Sequence, residues 1–164
     1  MKKLISYFGI VAFSILVMSI ARDPGSSYNA RLNTYKYECK TLIKPARYEG
    51  SRITHYTASK KDQIKGIETY MVLDTEYKFA FSGKECSSRV IVRFYESKNK
   101  KILLKEIKNI QNRNIAISSL SLLKTYHKKY PKSKNRLKNL FIEYTISPTE
   151  VNHEAVVFVM GYKK

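Results

Sequence analysis

The chain has 164 residues, and its 31 Lys and Arg against 13 Asp and Glu leave a formal charge of +18. That length builds one domain of ordinary size around a single core and excludes an array of several domains. Two cysteines, Cys39 and Cys86, are too few for a cysteine-based metal centre, and no CxxC or HxxxH spacing supplies further ligands.

Met1-Lys2-Lys3 is followed by an uncharged, mainly apolar run over residues 4–21. A short positive segment before such a run is the pattern of a secretory signal or signal anchor. Lys2 and Lys3 stay in the cytoplasm by the positive-inside rule, which puts the bulk of the chain outside. Ser19 and Ala21 place small residues ahead of a cut before Arg22, as cleavage requires. A run of about 18 residues is also near the lower limit of a membrane span, as a retained anchor requires. Both outcomes stay open.

Residues 22–27, with Pro24, Gly25, Ser26 and Ser27, read as a linker, and 28–164 as a single β-rich exported domain. Over 31–43, Tyr35, Tyr37, Cys39 and Thr41 alternate with Lys36, Glu38 and Lys40, which predicts a half-buried strand ended at Pro45. Residues 52–57 predict a short strand, 58–68 a polar loop or single helical turn, and 69–73 another strand closed by Asp74.

The clearest alternation follows: Tyr77, Phe79 and Phe81, then a turn at Gly83, then Val90, Val92 and Phe94. With a third strand over 101–108, these predict a three-stranded antiparallel meander. Over 118–130 the period becomes helical, with Leu122, Tyr126 and Tyr130 on one face, Ser118 or Ser119 as cap and Pro131 as stop. Residues 140–146 and 155–162 predict two more strands. The last is apolar on both faces and is expected at the centre of a sheet.

The expected fold is mainly β. It is an antiparallel sandwich or half-open barrel with one helix over about 118–130, preceded by the N-terminal hydrophobic helix of residues 4–21. An α+β sheet with the helix on one face is the alternative. In an oxidising compartment an isolated cysteine pair is most simply a disulfide, so Cys39 and Cys86 are expected to be joined.

No GxSxG, HExxH, P-loop, GxGxxG or EF-hand spacing occurs. His55, His127 and His153 are widely separated and read as surface or half-buried residues. Neither a catalytic set nor a cofactor is expected. Charge is the feature that rises above background. Residues 97–140 hold thirteen Lys and Arg against Glu106 alone. Within them Lys124, Lys128, Lys129, Lys132, Lys134, Arg136 and Lys138 interleave with Tyr126, His127 and Tyr130.

A basic, aromatic stretch binds anions, nucleic acid included, through phosphate contacts and stacking. Export argues against nucleic acid and for an acidic protein or an anionic envelope polymer, with membrane contact through residues 4–21. The expectation is a non-enzymatic bacterial envelope protein, periplasmic or anchored in the inner membrane. An accessory subunit of an envelope machine and an immunity-type inhibitor both fit it. The alternatives are a small exported hydrolase and a nucleic-acid binder in DNA transfer.

Overall fold

The computed structural model describes residues 24–72, 74–131 and 137–163. The apolar run of residues 4–21 lies outside them. Among the described residues no helix is long and apolar enough to cross a membrane. In chain order these residues form α1 (Pro24–Leu42), β1 (Arg47–Tyr56), β2 (Gln63–Tyr70), β3 (Glu76–Ser82), β4 (Val90–Tyr95), β5 (Leu103–Ile107), β6 (Asn114–Ser118), α2 (Ser119–Lys129), β7 (Asn139–Ile146) and β8 (Glu154–Lys163).

The strands form two antiparallel four-stranded sheets, ordered β1-β8-β3-β6 and β2-β7-β4-β5. Alternating inward residues of both sheets meet between them, as in a sandwich and not a closed barrel. Phe81 of β3 is the hub. Its ring lies 5.7 Å from Phe94 of β4, 6.2 Å from Tyr144 of β7 and 5.2 Å from Phe158 of β8. All four side chains are buried. Edge-on and tilted ring pairs at such distances contribute about 0.5–1.5 kcal/mol each beyond the area they bury.

β8 is interior, hydrogen-bonded to β1 on one side and β3 on the other. Its inner face adds Val156 and Phe158 to the core. Its outer face is covered too, which explains its two apolar sides. The Ile43 side chain at the end of α1 lies against Gly161, where an added Cβ would stand 2.6 Å from Ile43 Cδ1. Lys78 of β3 donates to the Lys44 carbonyl at 3.1 Å, and Glu38 of α1 accepts from Lys84 at 2.7 Å.

Four readings of the sequence are corrected. The strand expected over residues 31–43 is instead helix, the second half of α1, up to Leu42. The buried positions are Leu32, Cys39 and Ile43, spaced by seven and four, while Tyr37 is 70% exposed. The helical stripe was masked by tyrosines and lysines that alternate by chance. The 22–27 linker already contains the start of α1, with Pro24 in the first turn, where its missing N–H costs nothing. The helix count among the described residues is therefore two. The chain divides between Arg31 and Leu32 into two compact units. In the first, the Arg31 guanidinium lies 5.8 Å from the Tyr28 ring centre and donates to Ser27 at 3.3 Å.

The strand near 69–73 is instead β2, Gln63–Tyr70, and the predicted loop supplies most of it. Only Ile67 of β2 is buried, so an exposed edge strand carried almost no apolar signal. The meander is also split. β4 and β5 form a hairpin, but β3 lies in the other sheet, so that Phe79 and Phe81 face Phe94 across the core. The helix over 118–130 and the central place of the last strand are as expected.

Candidate functional site

α2 starts where β6 ends. Ser118 is the N-cap, its Oγ accepting from Leu120 N at 3.1 Å while donating to Glu76 Oε1 at 2.9 Å. Ser119, fully buried, accepts from Tyr77 N at 2.9 Å. These bonds pin the first turn to the start of β3. Leu122 and Tyr126 face inward, and the Tyr130 ring lies 5.1 Å from that of Tyr126. That face packs on β3, β5 and β6, touching an edge strand of each sheet. Tyr126 and Tyr130 therefore serve the core and are not stacking platforms.

The outward face carries Lys124 and Lys128, and Lys129 ends the last turn; all three are exposed. Lys124 and Lys128 are one turn apart on one ridge, and the last-turn cations suit the helix dipole. Lys138, also exposed, precedes β7. None of these four forms an ion pair with another described residue. Other cations of the basic stretch do: Lys98 meets Glu68 at 3.8 Å, Lys100 meets Glu143, and Arg93 next to it holds Glu106 at 2.8 Å. Lys132, Lys134 and Arg136 lie outside the described residues. The structure thus separates structural cations on the β4–β5 hairpin from uncommitted ones on α2.

Beside α2 lies a cleft of about 450 Å³. Leu120, Leu123 and His127 line one wall; Met71, Val72 and Glu76, with Asp74 and Thr75, line the other, and Leu137 adds to it. Met71 N donates to Lys138 O at 2.7 Å, and Val72 N to the Tyr77 hydroxyl at 3.0 Å. Val72 and Leu120 are 68% and 57% exposed at its mouth. Sequence reading missed this cleft, because its walls come from segments distant in the chain.

The cysteine pairing is corrected here. Cys39 and Cys86 are both buried free thiols. Cys39 belongs to α1, while Cys86 lies in the cluster between the sheets, with its Sγ donating to Ala155 O at 3.3 Å. Burial pushes both thiols up to about 12, Cys39 and Cys86 alike. α1 meets the β3–β4 turn through Glu38, which accepts from Lys84 at 2.7 Å.

A second polar group was not legible. Glu154 is 1% exposed, and its Oε1 accepts from both the backbone N and Oγ of Ser87 at 2.5 Å. Its Oε2, and the hydroxyls of Tyr56 and Tyr144, are buried with no hydrogen-bond partner among the described residues. Burial raises both tyrosine hydroxyls above their usual range. Among the described residues, no three His, Cys, Asp or Glu side chains are grouped to hold a metal ion. No protein-family model matches the chain, and no curated protein matches it either.

Proposed function

We propose that this chain is a non-enzymatic module of the bacterial envelope, exported or anchored through residues 4–21. It binds an acidic protein or an anionic envelope polymer through the lysines of α2. One observation carries the reading: Lys124, Lys128 and Lys129 of α2, with Lys138 just before β7, are exposed and have no ion-pair partner among the described residues, and the inward face of α2 is bonded firmly to the sandwich. Clustered, uncommitted cations on a rigid support attract anions with a fast, salt-sensitive encounter. The sequence carries three further cations, Lys132, Lys134 and Arg136, in the same basic stretch.

The test is a pull-down from envelope extract at low and high salt. The full chain is compared with a variant in which Lys124, Lys128, Lys129 and Lys138 are replaced by Gln. The reading expects a partner retained at low salt by the wild type and lost by the variant. Equal retention by both refutes it.

A further inference from the structure

The cleft beside α2 adjoins the basic ridge, and the two share a helix at fixed offsets. Leu120, Leu123 and His127 line the cleft; Lys124 and Lys128 follow Leu120 at steps of four, one and two turns along the same strip of surface. An apolar side chain held at Leu120 therefore has neighbours on its own chain within reach of Lys124. On the opposite wall, Glu76 is committed to the Ser118 cap and Asp74 adds a second carboxylate. Carboxylates on that wall and lysines along α2 favour acidic groups on the α2 side. The hydrogen bonds of Ser118, Ser119, Val72 and Tyr77 hold both walls in place before anything binds, which lowers the ordering cost of binding.

We propose that the cleft is a docking site for an acidic peptide segment of a partner protein, carrying one large apolar anchor. The anchor enters between Val72 and Leu120. The Asp or Glu residues on one flank lie along Lys124 and Lys128. The volume is in the range of preformed sites lined by apolar groups with a few charges, and Val72 and Leu120 are apolar surface that such an anchor removes from water. This rests on the reading of α2 as a binding surface and narrows it from any anion to a peptide with a defined apolar residue. An anionic polymer has no such anchor.

The test is fluorescence anisotropy with the full-length chain and labelled peptides on one acidic frame, with Phe, Leu or Ala at a single central position. The Phe and Leu peptides should bind roughly tenfold or more tighter than the Ala peptide, from the apolar area the anchor buries. Val72→Ser and Leu120→Ser should abolish that preference while leaving the salt-sensitive binding of the Ala peptide unchanged. Lys124→Gln with Lys128→Gln should weaken all three peptides together. Equal affinity for the three peptides, with salt dependence intact, overturns the cleft and leaves the basic surface standing. Absence of salt-dependent binding to any of them overturns both.

Discussion

Gly83 sits where the chain leaves β3 to cross to the other sheet, and it is a place where one methyl group should do measurable harm. A Cβ added there would stand 2.9 Å from the carbonyl carbon of Ile110 and closer still to its oxygen. Ile110 is fully buried and cannot swing aside as a flexible side chain could. The turn or the β5–β6 connection must retreat by an amount on the order of 1 Å, an overpacking that costs about 1–3 kcal/mol. The same movement stretches Gly83 N to Arg113 O at 3.1 Å and Asn112 N to Gly83 O at 3.0 Å, bonds contributing about 1 kcal/mol each. Gly83→Ala should therefore lose about 2–4 kcal/mol, and the midpoint of thermal unfolding should fall by roughly 4–16 °C. Gly50→Ala is the control, since no atom lies within 4 Å of its added Cβ. It should be neutral, or stabilising by about 0.4–1 kcal/mol through the unfolded chain. Urea unfolding followed by circular dichroism measures both. A Gly83→Ala stability within about 0.5 kcal/mol of wild type would refute the packing described at this crossing.

Other predictions bear on charge, thiols and α2. Hydrogen bonds from Lys84 and Asn114 hold the Glu38 carboxyl below its usual value. Its folded-state value is depressed, so its stabilisation is present above the ordinary carboxylate range and lost as pH falls through the lowered value. The stability gap between wild type and Glu38→Gln should be full at neutral pH and close in acid; a gap independent of pH contradicts this. Cys39 and Cys86 should resist alkylation in the native protein and both react in urea without reductant, as buried thiols at about 12 require. Failure to label either in urea would restore a disulfide. Tyr126→Ser should destabilise by about 2–4 kcal/mol in chemical unfolding, because its ring is 7% exposed against the core, whereas Lys128→Gln should cost less than about 0.5 kcal/mol.

The parts of this fold that could be read from sequence are those whose apolar period is set by a single partner surface. α2 has one buried stripe, Leu122 and Tyr126, between Ser118 and Pro131, and β8 is apolar on both sides because the core lies on one and Ile43 on the other. α1 was hidden because its buried stripe is only Leu32, Cys39 and Ile43, diluted by tyrosines that favour strands. β2 was hidden because an edge strand buries little. Alternation at Phe79, Phe81, Val92 and Phe94 marks inward residues correctly but cannot say which sheet each strand joins. Of the site, the lysines were legible as charge. The cleft was not, since the Ser118–Glu76 and Ser119–Tyr77 bonds that build it each join residues 42 positions apart.

The central claim, that the lysines of α2 are a binding surface, meets its most direct test in association kinetics. The partner recovered from envelope extract is titrated against wild type and the Lys124, Lys128, Lys129 and Lys138→Gln variant over a range of salt. The account predicts a wild-type on-rate that falls steeply as salt rises and a variant on-rate roughly tenfold lower or more at low salt, with the two converging at high salt. On-rates that coincide at every salt concentration would contradict it.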